Sequence, residues 1–286
     1  MSYESVAVTE PRWDVLGDLW RGVRRAPGIT LASVWLVALF GAILLSNFTD
    51  LMDPLEADFG AARQAPSAAH WFGTDSTGRD VFARTVAGAQ SSFVVALITL
   101  TVGMVGGSII GILSGYLRGW TDRVSGLLID VLMAFPSLIL VMIVVSFRGP
   151  SLLTIGTTIG VLTTPTFARV TRAATLSARE REYIQAARLM DTPRWRILLG
   201  DIVPNVAPVA ITFSFTAMTG AIVGEGSLSF LGFGLVPPTP SWGGIIADGR
   251  SLLATAPWVT LAPAIALCVT VLSINLIGER VKEKLR

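Results

Sequence analysis

Lysine is almost absent from this chain: Lys282 and Lys284, near its end, are the only two. A phosphate-binding loop of the G-x-x-x-x-G-K-[ST] type needs a lysine between its glycines and its hydroxyl residue, so the chain cannot power itself with ATP by that route. Histidine is scarcer still. His70 stands alone, which excludes an H-E-x-x-H zinc site and any multi-histidine metal centre; no metal or other cofactor is expected. Cys268 is the single cysteine, so no disulfide can form within the chain, and a small packing residue in an apolar span is the expected role. Charge is sparse too. At 15% charged residues and a net charge of +2, nothing suggests nucleic acid as a partner. The first 28 residues lack the short apolar core and small-residue cleavage site of a signal peptide, and acidic residues interrupt them.

Apolar sequence fills the space. Hydrophobic residues make up 52% of the chain and mean hydropathy is +0.64, outside the range of ordinary soluble domains. A membrane span takes about 20 mostly apolar residues. Six stretches qualify: Ile29–Ser46, Ser92–Gly115, Gly126–Phe147, Leu152–Val170, Val206–Gly224 and Ala254–Ile277. The fourth and fifth are rich in Thr, Ser and Gly, which suits either close helix packing or a polar lumen. The implied division is a tail at 1–28, a first span at 29–46, an outside loop at 47–90, a core at 91–278 with a polar insert at 171–205, and a tail at 279–286. All but five of the basic residues (Arg63, Arg79, Arg84, Arg148 and Arg250) fall on one side of this topology, so the positive-inside rule puts both termini in the cytosol. Trp13, Leu16, Trp20 and Val23 share a helical face beside arginines, which predicts an interfacial helix on the cytosolic leaflet.

Three polar regions carry the functional signal. The outside loop ends HWFGTDSTGRDVFARTVAGAQSS, in which Thr74 and Asp75 can cap, glycines turn the chain, and Arg79 and Arg84 can pair with Asp75 or Asp80. In the third span, Pro136 removes a helical hydrogen bond and predicts a kink beside Phe135, and Asp130 is an ionisable group that must face protein or water; the Asp130–Pro136 region serves as a structural kink or a pathway lining. The insert from Glu182 to Asn205 reads as helix, break, helix. Tyr183, Ile184, Ala187 and Met190 recur at helical spacing with Arg188 alongside, Thr192 and Pro193 suit an N-cap and first helical position, and Trp195, Leu198, Leu199 and Ile202 form a second stripe. Such a helix, offered to the cytosol, suits insertion into a partner's groove. After the fifth span, Glu225 to Gly234 and the Pro-rich run to Trp242 form a Gly-broken excursion, tolerated near a membrane only when buried in protein or lining a cavity. Glu225 there suits a salt bridge or a peptide amino group.

A serine protease within the membrane is a reading of a different class. Ser227 follows Glu225-Gly226 near a membrane edge, and His70 is the one available base.

The motifs Gly73-Thr74-Asp75, Gly78-Arg79-Asp80, Gln185-Ala186-Ala187, Ile202-Val203-Pro204, and above all Glu225 to Gly234 with Pro237 to Gly243, Asp248-Gly249-Arg250 and Ala256-Pro257-Trp258, resemble the C-type permease of the dipeptide/oligopeptide/nickel ABC importer family. The resemblance covers roughly residues 70–286. It implies an all-α type I importer transmembrane domain of six helices with both termini cytosolic, paired in the bacterial cell membrane with a homologous second permease. One or two ATPase subunits, holding ATP and Mg, would dock below, and an extracytoplasmic substrate-binding protein above. It implies ATPase coupling through Tyr183, Ile184, Gln185, Ala186, Ala187, Arg188, Met190 and Asp191. A pathway or gate falls at Asp130, Phe135, Pro136, Glu225, Ser227 and Phe230, and a mouth contacting the binding protein at Asp75, Arg79, Asp80, Trp242, Asp248 and Arg250. Short peptides are the implied cargo, with nickel chelates, glutathione or another small solute as alternatives. Two residues depart from the family's pattern. Gln185 stands for a glutamate, which weakens charge pairing there, and Asp191 stands for a glycine, although Asp tolerates left-handed backbone better than most residues.

Overall fold

The computed structural model describes residues 27–48 and 53–285. The expected interfacial helix around Trp13 and Trp20 lies outside them. The described chain is helical, with a lone bridge between Thr74 and Asp80. In chain order the helices are α1 (Pro27–Phe48), α2 (Val81–Leu117), α3 (Trp120–Ala134), α4 (Ser137–Arg148), α5 (Leu152–Arg179), α6 (Glu182–Leu189), α7 (Arg194–Ile197), α8 (Val203–Phe230), α9 (Trp242–Gly249) and α10 (Trp258–Lys284). Successive long helices run up and down, so the chain has two ends. One gathers the α2 C-terminus with α6 and α7, and the other gathers the loop 53–80 with α9.

Four helical segments are long and apolar enough to cross a membrane, five if the bent pair α3–α4 is one span. The stretch Leu152–Val170, expected as a span, belongs to α5, which does not reach that apolarity. Its threonines explain how it is accommodated. Thr158, Thr163, Thr164, Thr171 and Thr175 each donate a hydroxyl hydrogen bond to the carbonyl four residues earlier, so these polar groups need nothing from their surroundings. The helix is then sheltered by α2. A Cβ on Gly156 would sit 2.8 Å from Ile98 Cβ and one on Gly160 would sit 2.7 Å from Val102 Cβ. The glycines therefore set a close backbone approach, across which Thr99 Oγ1 donates to Gly156 O at 3.1 Å. Close packing, of the two readings left open for this segment, is what the α2 face of α5 displays.

Two further boundaries differ from expectation. α2 starts at Val81, inside the stretch read as outside loop, because the Asp80 carboxylate accepts the Ala83 amide at 2.8 Å and caps it. Pro136 does more than kink: α3 and α4 meet at 82°, with Phe135 and Pro136 both extended. Proline drives its predecessor out of the α region and supplies no amide of its own, which separates the two helices.

Candidate coupling site and the opposite mouth

At the α6–α7 end, Ile184 is fully buried against Tyr116, Ala178, Ile197, Ile202 and Val206, with Ala187 packed beside them. The other face of α6 is open. Leu189 is 87% exposed and Met190 74%, and Gln185 and Ala186 are exposed too. The stripe expected to face a partner is thus divided. Ile184 and Ala187 anchor the helix, Met190 faces outward, and Leu189, which fell outside the expected set, is the most exposed apolar residue of the helix. With successive residues about 100° apart around the helix, burying Ile184 leaves Leu189 and Met190 on the side facing away from the core.

The rest of the set has identifiable partners. Asn205, at the start of α8, accepts from Arg181 Nη1 at 2.8 Å and donates to the Tyr183 hydroxyl at 2.9 Å, so Tyr183 fastens α6 to the next long helix. Gln185 Nε2 donates to Glu180 O at 3.1 Å, a bond that a glutamate carboxylate cannot make. Arg188 lies over the Tyr116 ring, 5.1 Å from its centre. Asp191 adopts φ +53°, the left-handed conformation expected of a residue standing where the pattern has glycine. The cap shifts by one residue, with Pro193 rather than Thr192 at the N-cap of α7. A π turn over Leu198–Ile202 then rotates the second stripe. Ile197 and Ile202 become core while Trp195 and Leu199 stay exposed.

At the other end the charges are enclosed. The Asp75 carboxylate accepts the amide and hydroxyl of Thr77 (both 2.8 Å) and the amide and Nε of Arg79 (both 3.0 Å), and it pairs with the Arg84 guanidinium. Burial alone would raise its pKa. The hydrogen bonds from Thr77 and Arg79, with the Arg84 charge, outweigh that and hold it below the usual carboxylate range. Arg84 also reaches Asp248 at 3.3 Å, linking the loop to α9. His70 Nδ1 lies 2.9 Å from Asp80 Oδ2. Trp242 is fully buried and donates to Thr85 O at 2.9 Å, so of the six residues expected at this mouth only Asp248 and Arg250 are exposed.

The expected gate residues divide as well. Glu225 is fully buried and has no cationic partner among the described residues. Instead it accepts hydroxyls from Ser92 at 2.8 Å and Ser229 at 2.6 Å, and so knits α2 to α8. Asp130 pairs with Arg169 at 2.8 Å and Phe135 is exposed beside Pro136. Phe230 lies under Arg250, 5.7 Å from the guanidinium carbon. Ser227 donates to Val223 O at 2.8 Å within its own helix and makes no hydrogen bond with His70, so the residues of the protease reading are not joined. A cavity of about 320 Å³ opens between α4, α5 and α8. Thr163, Thr166 and Thr216 line it, and its only sequence signal was the hydroxyl content of the fourth and fifth spans.

The comparisons with known proteins agree with this geometry. A glutathione transport system permease protein GsiD from Pectobacterium atrosepticum is 34% identical over 272 residues, covering 94% of this chain and 89% of the relative. A dipeptide transport system permease protein DppC from Alkalihalophilus pseudofirmus is 35% identical over 259 residues, covering 89% and 85%. The fold is that of a chain in inward-facing structures of the MetNI methionine ABC transporter, at TM-score 0.61 and 17% identity, covering 71% of this chain and 96% of that one. The family model for binding-protein-dependent transport system inner membrane components matches residues 107–286, the part that contains the broken span and the whole α6–α7 insert. The chain belongs to that family, the membrane-spanning permease subunits of ABC importers.

Proposed function

We propose that this permease carries short peptides across a bacterial cell membrane, paired with a homologous second permease and driven by one or two separate ATPase subunits that hold ATP and Mg. The dipeptide and glutathione permeases among its relatives support peptide-sized cargo. Glutathione is the second reading, favoured by the relatives named for it. A binding protein delivers cargo at the Asp248–Arg250 end, both termini are cytosolic, and the spans rock between inward- and outward-open arrangements.

The observation that carries the coupling reading is the anchored helix α6. Ile184 and Asn205 hold it to the core, while Leu189 and Met190 remain free to enter a groove on an ATPase. A push on that surface is transmitted to α2 and α8 without first deforming the helix.

The test is copurification of the tagged chain in mild detergent, with partners identified by mass spectrometry. Stoichiometric recovery of an ATPase and a second permease, with the ATPase alone lost in Leu189→Asp/Met190→Asp, is the expected result. A chain that purifies alone contradicts the reading. Uptake of a labelled dipeptide and of labelled glutathione into vesicles carrying the whole complex separates the two cargo assignments.

A further inference from the structure

Beneath the α6–α7 break lies a cavity of about 480 Å³, lined by Tyr116, Arg179, Arg188, Asp191 and Arg194 among others. Three guanidinium groups share it with one carboxylate. Arg79, Arg84, Arg169 and Arg172 each hold a carboxylate partner, but Arg179, Arg188 and Arg194 form no ion pair among the described residues. Arg179 donates through Nη1 to Tyr116 O at 3.2 Å, and its Nε is buried with no hydrogen-bond partner among the described residues. Arg188 is steered toward the cavity wall by the Tyr116 ring. An unpaired buried donor beside like charges is costly unless an acceptor arrives.

We propose that this cavity binds a phosphate group, carried either by an anionic lipid headgroup or by a small soluble phosphate. Guanidinium forks match phosphate oxygens in pairs. The volume exceeds what one carboxylate side chain fills, leaving room for the group that bears the phosphate. Tyr116 ends α2, Arg179 ends α5, and Arg188 and Arg194 flank the break, so one bound phosphate ties together the elements that hold Leu189 and Met190 in place. That consequence for coupling rests on the function proposed above; the binding itself does not.

The test uses the full chain in neutral detergent and follows its thermal unfolding midpoint. Two probes are titrated, inorganic phosphate and dihexanoyl phosphatidylglycerol, against chloride at matched ionic strength. A saturable rise with one or both is expected. The Arg188→Gln/Arg194→Gln chain should need about tenfold or more probe, as for lost charge-assisted hydrogen bonds, while Arg148→Gln at the opposite end should match the parent. Saturation by phosphate alone assigns a soluble ligand, and saturation by the lipid alone assigns a headgroup. No saturable rise with either probe, or an undiminished one in the double variant, overturns the proposal. If the double variant fails to fold, equilibrium dialysis of the unaltered chain with radiolabelled phosphate, and native mass spectrometry with the lipid, decide. One saturable site displaced by sulfate but not chloride supports the proposal, and no saturable site overturns it. Because no ATPase is present, failure here is separate from failure of the copurification test.

Discussion

The loop 53–80 and the cavity under the α6–α7 break treat charge differently. At the loop 53–80 end, Asp75 gathers Thr77, Arg79 and Arg84, Arg84 extends to Asp248, and His70 meets Asp80. At the α6–α7 end, Arg179, Arg188 and Arg194 line a cavity and form no ion pair among the described residues, and Leu189 and Met190 stand in the open. A surface that completes its own interactions is a stiff closure over the helix ends. One that leaves apolar and cationic groups unspent is built to receive something. On the proposed function, the difference separates residues that hold the permease together from residues that connect it to partners.

The largest effect belongs to the enclosed end. Asp75→Ala strands the Arg84 charge in a buried site and should cost about 3–5 kcal/mol, read as a steep fall in the unfolding midpoint in detergent. The same carboxylate makes that end sensitive to acid. Its folded pKa is depressed, so its stabilisation is fully present above the unfolded aspartate value of about 3.9 and is lost as pH falls through the lower folded value. Asp75→Asn should flatten the stability–pH curve in that window, and an unchanged curve would place the acid response elsewhere.

Next comes the anchor of the open end. Ile184→Ala empties a fully buried site among Tyr116, Ile197 and Ile202 and should cost about 2–5 kcal/mol. On the proposed function, ATPase recovery should fall with it, because α6 loosens. Asp191→Gly relieves the cost of left-handed backbone at φ +53° and should change stability by about 1 kcal/mol or less, toward greater stability; a clear loss on melting would mean that the Asp191 side chain supports the cavity. The smallest change in stability, within about 0.5 kcal/mol, is expected from Leu189→Asp/Met190→Asp. That pair sharpens the comparison most, since binding to the ATPase should disappear while the melting curve stays put.

Much of this division was hidden from the sequence, for reasons particular residues make clear. Tyr183, Ile184, Ala187 and Met190 do recur at helical spacing, but spacing reports only that a side chain lies on an apolar face. It does not report whether that face meets the chain's own core or a partner. Leu189 lies off that stripe, and the burial of Ile184 leaves it exposed. Trp242 in its Pro- and Gly-rich run had the look of a surface contact, yet its ring nitrogen bonds Thr85 O from within the core, a pairing 157 residues apart along the chain. Glu225 suggested a cation, and two serine hydroxyls from different helices took that place.

By itself the sequence determined the properties that neighbouring residues impose on one another. These are the longest apolar runs, an interruption of the third span at Pro136, the helix–break–helix insert with Asp191 at its turn, and the lack of any lysine placed to hold a nucleotide. Those follow from backbone sterics and local hydropathy, which act over a few residues. Tertiary structure alone decided which face of each helix is spent internally. It brought Asp248 alongside Arg84, sheltered the threonine-rich α5 against α2 at Gly156 and Gly160, and left Arg179, Arg188 and Arg194 without an ion pair among the described residues. Burial and charge pairing depend on what distant segments bring alongside, and no local pattern encodes that neighbour.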